Sequence, residues 1–269
     1  MFIREAVKTD IGRKRRENQD AFGFFHDLHL YVVADGMGGR SAALVSSLTI
    51  EAIHRSLLST QDEDLTPLVD PGGNRSVAGR RLTIAFNHAN ELIRHRISSD
   101  PRMRGVGTTA AAVLFDRTRE QVAICHVGDT RVYRVHGDRV DELTEDHTVV
   151  RWLVNTGRIR PDEVKTSPHR HVLTRAVGIE DLLSPDLRLE KLSPGDVYVI
   201  ASDGLHDVVG TGEIRDVVHD SWPDLEVACT RLIDLANQRG GEDNTTVLII
   251  ACDDQPRPEP DPVPKADVP

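Results

Sequence analysis

Apolar residues along this chain fall into two rhythms. Short, β-branched runs bounded by turn residues predict buried strands at 2–8, 21–25, 28–34, 108–115, 122–127, 131–135, 140–143, 187–192, 197–201 and 246–251. Two longer stretches repeat at helical spacing instead. Leu44, Val45, Leu48, Ala52, Ile53 and Leu57 form the first. Leu82, Ala85, Phe86, Ala89, Leu92 and Ile93 form the second, which predicts a helix over 77–97. A further helix is predicted over 225–238, ahead of the last strand. Residues 61–74 are acidic and carry Pro and Gly, so they read as a loop. The stretch 148–175 breaks the pattern: a short helix at 149–156 is followed by Gly157, Pro161, Pro168 and mixed charges. It reads as an insertion packed on the main body, as a lid would be. Strands and helices come in blocks, without the strict alternation of a doubly wound parallel sheet. The predicted fold is α+β: two mostly antiparallel sheets packed together with helices outside, a four-layer α-β-β-α sandwich.

Three of the apolar runs stop at an Asp in a tight turn. They end at Asp35-Gly36, at Gly128-Asp129 and at Asp203-Gly204, and a fourth Asp, Asp243, stands just before the last strand. One Asp-Gly alone is ordinary hairpin chemistry. A sheet needs no Asp at each of its strand ends, however, and four such carboxylates can converge at one edge. Carboxylate oxygens gathered without Cys or His favour hard cations such as Mg2+ or Mn2+. The set therefore predicts a carboxylate metal centre with hydrolytic chemistry.

Composition narrows the class. The 269 residues are 39% hydrophobic and 28% charged, which fits a soluble globular protein. No run approaches the length of a membrane helix, and residues 1–10 show no signal-peptide core, so a cytoplasmic location is expected. A net charge of -10 argues against non-specific nucleic-acid binding. Cys125, Cys229 and Cys252 form no Cys-x-x-Cys pair and read as buried thiols in a reducing compartment. Residues 253–269 alternate Pro with charged residues and read as a disordered tail beyond a domain of 1–252.

Motifs in order then carry a resemblance. Gly12-x-x-Arg15-x-x-Asn18-Gln19-Asp20, Ala34-Asp35-Gly36-Met37-Gly38-Gly39, Gly107-Thr108-Thr109 and Val127-Gly128-Asp129-Thr130-Arg131 come first. Leu143-Thr144-x-Asp146-His147, Leu173-Thr174-Arg175-Ala176-Val177-Gly178, Ala201-Ser202-Asp203-Gly204-Leu205 and Glu242-Asp243-Asn244-Thr245-Thr246 follow. Together they resemble the metal-dependent type-2C serine/threonine protein phosphatases, bacterial branch. The resemblance implies hydrolysis of phosphoserine and phosphothreonine in proteins by a water shared between two divalent cations, Mn2+ or Mg2+, opposing a bacterial kinase. It implies that Asp35 bridges the ions, that the Gly36 carbonyl, Asp203 and Asp243 complete their shells, and that Asp129 with Asp203 reaches a third, weaker ion. Arg15 would bind phosphate and Asp20 would hold water from behind the ions. Phosphorylated proteins would be the partners of a monomeric enzyme.

Two departures stand out. Gln19 replaces a frequent Glu, and Met37 stands where eukaryotic members carry a proposed acid, His. His126 and His147 are the candidates to supply that proton. The competing reading is a catalytically idle phosphoprotein-binding relative, which should lack one of Asp35, Asp203 and Asp243. A haloacid-dehalogenase-type phosphatase needs Asp-x-Asp at a first strand end, and Asp62-x-Asp64 lies in the acidic loop.

Overall fold

The computed structural model describes residues 1–254. Its first sheet has five strands in the order β1 (Phe2–Asp10), β13 (Thr245–Asp253), β12 (Val197–Ala201), β9 (Arg131–His136) and β10 (Arg139–Glu142). The second runs β11 (Asp186–Lys191), β8 (Gln121–Val127), β7 (Ala110–Asp116), β3 (Leu30–Met37) and β2 (Asp20–Phe25), with the short β6 (Gly107–Thr108) also on β3. Neighbours in both sheets are antiparallel. A small hairpin of β4 (Leu68–Val69) and β5 (Arg75–Ser76) lies apart.

The central strands are apolar throughout because both faces are covered. In β3, Leu30, Val32 and Ala34 meet helices α1 (Ala42–Ser59) and α2 (Val77–Ser99), while Tyr31 and Val33 point to the other sheet. In β13, Val247, Ile249 and Ala251 meet α5 (Thr211–Ser221) and α6 (Leu225–Gln238), while Leu248, Ile250 and Cys252 face inward. The inner layer is locked by edge-on rings, Tyr31 against Phe115 at 5.7 Å and Phe115 against Tyr198 at 5.5 Å. This is the four-layer α+β sandwich that the pattern predicts. Cys125, Cys229 and Cys252 are buried and unpaired.

Some elements differ from expectation. Helix α5 was not predicted: only Ile214, Val217, Val218 and Ser221 of its eleven residues are buried, and Gly212 weakens its signal. Asp203-Gly204 is not a hairpin turn but the start of a short helix, α4 (Asp203–His206). The loop at 61–74 contains β4. The last strand runs to Asp253, where Arg4 Nε donates to the carboxylate at 2.7 Å. That pairing takes one residue from the expected tail; residues 255–269 lie outside the described ones.

The insertion leaves the body after β10. It carries α3 (Val149–Asn155), capped by the Thr148 hydroxyl, and a 3-10 turn over Pro161–Thr166. Its two ends are paired: Val149 N donates to Val172 O at 2.8 Å, and Thr174 N to His147 O at 2.8 Å.

Candidate metal centre

Strand direction brings the carboxylates together. Asp35 is near the C-terminal end of β3, Asp129 follows β8 and Asp203 follows β12. Antiparallel pairing of Ala201 with Val247 places the N-terminal end of β13, and so Asp243, beside Asp203. Asp20 opens β2 directly across from Asp35. Asp35, Asp129, Asp203 and Asp243 all line one cavity of about 1070 Å³, with Arg15, Gly36 and Met37.

Local bonds fix each group. The Asp35 carbonyl accepts from Thr109 N at 2.9 Å and from the Thr108 hydroxyl at 2.7 Å. Gly36 N donates to Gln19 O at 3.1 Å, and a Cβ at Gly36 would stand 2.5 Å from Ala42 O and 2.8 Å from Gln19 O. The backbone here is packed too closely for any side chain. Asn244 ties the two chain ends together: its Oδ1 accepts from Gln19 N at 2.8 Å, and its Nδ2 donates to Ile11 O at 2.9 Å and Glu17 O at 3.0 Å. Gly12, at φ +81°, lets the Asp243 carbonyl approach to where its Cβ would sit 2.3 Å away. Arg15 thereby reaches Asp243, donating to Oδ2 at 2.5 Å.

The electrostatics are those of an uncompensated cluster. Burial, then the charges of Asp20, Asp203, Asp129 and Asp243, push the Asp35 carboxyl well above the ordinary carboxylate range. Burial, then Asp129, Asp243, Asp207 and Asp20, do the same to Asp203. Burial and the nearby Asp146 raise Asp129 to about 7. Burial raises Asp20 to about 6, although its Oδ2 accepts from the Ser202 hydroxyl at 2.8 Å and the Thr246 hydroxyl at 2.7 Å. Asp20 Oδ1 and Asp203 Oδ1 are shut off from solvent with no hydrogen-bond partner among the described residues. Buried carboxylates without donors ask for cations. Oxygen-only donors on converging strand ends fit hard divalent ions, so the residues present fit the expected metals.

Arg15 is already engaged, by Asp243. Burial lowers its pKa, but Asp243, Asp203 and Asp35 outweigh burial and raise it. Gln19 lines the cavity, and its Nε2 donates to Gly39 O at 3.0 Å. The expectation for His126 and His147 fails: neither lines this cavity, and both are buried. His126 Nε2 meets Glu145 O at 2.9 Å, and burial with the neighbouring His147 lowers its pKa to about 4. His206 and His171 are the imidazoles at the cavity. His206 donates from Nε2 to Asp129 O at 2.9 Å, and burial followed by Arg131 lowers its pKa to about 3. One nitrogen of His171 lies with carboxylate oxygens of Asp203 and Asp207, all within 4.8 Å of one another.

Sequence reasoning also missed a pair at the cavity: Arg131 holds Asp146 by two bonds, Nε to Oδ1 at 2.8 Å and Nη2 to Oδ2 at 2.6 Å. Both residues stand in the quoted motifs, so Val127–Arg131 and Leu143–His147 signalled the pair without showing that they touch.

Comparison with known proteins agrees with this geometry. The family model "Protein phosphatase 2C" matches residues 17–245. A putative protein phosphatase 2C-type protein of Streptococcus pyogenes is 33% identical over 91% of this chain and 96% of its own length. The serine/threonine protein phosphatase PstP of Mycobacterium tuberculosis is 32% identical over 93% of this chain, which spans 45% of that relative. A structure of the PstP catalytic domain with two manganese ions superposes with a TM-score of 0.77 at 32% identity, covering 94% of this chain and 99% of that one.

Proposed function

The chain belongs to the protein phosphatase 2C family, and from that premise we propose how its own residues remove phosphate from proteins. It is a metal-dependent protein serine/threonine phosphatase, using Mn2+ or Mg2+. Its substrates are phosphorylated proteins; the idle reading falls with the full acidic set and the named relatives. Divalent ions bound here supply Lewis-acid charge that neutralises phosphoryl oxygens and favours hydroxide over water near neutral pH.

The residues divide the work. Asp35, the Gly36 carbonyl, Asp203 and Asp243 would hold the divalent ions, and Asp129 with Asp203 would hold a third, weaker one. Asp20 offers its unpartnered Oδ1 to orient the attacking water, while Ser202 and Thr246 fix the opposite oxygen. Arg15 turns its planar fork from Asp243 toward the phosphate, where two parallel N–H bonds match two phosphoryl oxygens. Met37 carries no proton, so the departing Ser or Thr oxygen takes one from solvent. The domain runs to Asp253, one residue past the expected 1–252, and the 148–175 flap borders its cavity. Among the described residues no helix is long and apolar enough to cross a membrane. The enzyme works as a cytoplasmic monomer opposing a bacterial Ser/Thr kinase.

The observation that carries this reading is the donor-less, buried oxygen of Asp203 in the acidic cavity, with a second such oxygen on Asp20, which pairs across the strands with Asp35. The test is phosphate release from a phosphothreonine peptide with Mn2+, with Mg2+ and with excess chelator, for the wild type and Asp203→Asn. Release that needs metal and collapses in the variant is expected. A folded wild type that releases nothing with either metal would overturn it.

A further inference from the structure

Outside the acidic cavity, His126, His147 and Asp186 bring three ligand-type atoms within 4.8 Å. A metal does not fit them. Gly128 N donates to His147 Nδ1 at 3.2 Å, and Arg175 Nη1 lies 3.1 Å from Nε2, so neither ring nitrogen is open to a metal. Arg175 already fills the space: its Nη1 donates to Asp186 Oδ1 at 2.6 Å and to Ser184 O at 3.1 Å. His147 Nε2 faces Asp186 Oδ2 at 3.3 Å.

What the cluster does have is an unusual set of bonds on one residue. His147 N donates to Gly128 O at 2.9 Å, while its ring accepts from Gly128 N. Both polar groups of the Gly128 backbone are thus committed to a single residue, next to Asp129. The His147 carbonyl accepts from Thr174 N at 2.8 Å, at the far end of the insertion. Thr148, its neighbour, pairs with Leu173. The ring is stacked on His126 at 4.6 Å and is 4% exposed, so it has no freedom to turn.

We propose that His147 is a positioning residue that clamps the Gly128–Asp129 turn to the base of the 148–175 insertion, so that Asp129 and the flap are set as one unit. The proposal rests on the phosphatase reading for Asp129 but concerns the clamp itself. Its operative atom is Nδ1. Asn places an amide oxygen close to the Nδ1 position and retains that acceptor. Gln reaches toward the Nε2 position, keeps a donor for Asp186 and loses the acceptor.

The experiment compares His147→Asn, His147→Gln and His147→Ala by two readouts. The first is hydrogen exchange of the amides of Gly128 and of segments 148–156 and 170–175 in chelator, which needs no activity. The second is the Mn2+ concentration giving half-maximal hydrolysis of a small phenyl phosphate. Gln and Ala should speed exchange in both segments together and raise the Mn2+ requirement roughly 10–100-fold, the usual cost of losing a group that orients a ligand. Asn should stay within about threefold of wild type in both readouts, far inside that range. Asn as damaged as Ala would overturn the clamp, since ring packing would then be the cause. Faster exchange at Gly128 with an unchanged flap would overturn the coupling. If Ala does not fold, Asn against Gln decides the same question. Wild type without hydrolysis, but with coupled exchange in the variants, would sink the phosphatase reading and leave the clamp standing.

Discussion

Replacing Asp20 by Asn should make the metal-free protein more stable and the enzyme worse. Residue 20 as a whole is half-buried, but its Oδ1 is closed off from solvent without a donor. Burial is the main reason its carboxyl titrates near 6 in place of the ordinary 3.8. A raised carboxyl pKa means that the folded chain holds the proton longer than the unfolded one. Stability is then full below about pH 4, falls as pH rises toward 6 and stays low above it. At about 1.4 kcal/mol for each pH unit, the difference between 3.8 and about 6 amounts to about 3 kcal/mol at pH 8. Asn carries no charge, and its oxygen can still accept from Ser202 and Thr246 while its amide donates toward Asp35. At about 2 °C per kcal/mol for a domain of this size, Asp20→Asn should melt about 6 °C higher than wild type at pH 8 in chelator. Near pH 4 the two should melt together. With Mn2+ the same variant should hydrolyse a phosphopeptide roughly 10–100-fold more slowly. A melting gain of equal size at pH 4 and pH 8, or a loss at pH 8, would refute the reasoning, because the carboxylate charge would then not be the source.

Three further outcomes follow from the same centre. Mn2+ added to chelated wild type should raise its melting temperature at pH 8, by about 2.7 kcal/mol of stability at a hundredfold excess over Kd; a flat calorimetric trace across the titration would argue against a built metal site. Gly36→Ala places a methyl 2.5 Å from Ala42 O, so it should cost about 1–3 kcal/mol in melts and abolish phosphate release; normal stability and rate would contradict the close packing. Arg15→Ala should lower the phosphopeptide turnover about 100-fold, with Lys recovering only part of it; full recovery by Lys would show that charge alone suffices.

The sandwich was legible because its central strands are buried on both faces. Runs such as Val197–Ala201 and Val247–Cys252 are apolar at every position, and each has an Asp close to one end. The acidic set was legible for the same reason: strand ends are marked by composition. Helix α5 was not, since its eleven residues bury only one narrow stripe and contain Gly212. The bonds that steady the centre were equally hidden. Asn244 to Gln19 and Arg131 to Asp146 depend on segments that meet only in the folded chain. His147 shows the limit most clearly. With Met37 unable to give a proton, His147 was a candidate to supply one, but which way a ring faces is decided by packing, and here it faces Gly128 and Asp186.

The pairing of β1 with β13, from Phe2 opposite Asp253 to Asp10 opposite Thr245, carries a consequence in time. A chain leaving the ribosome presents β1 first and β13 last, and domains fold as units during synthesis. Arg15 waits for Asp243, Gln19 waits for Asn244, and the edge of β1 stays open until β13 has been made. A half-made copy therefore has α1, α2 and most of the second sheet but no phosphate-handling centre. The phosphate-handling centre forms only once β13 is in place, at the cost of an early strand that must be kept from wrong partners meanwhile.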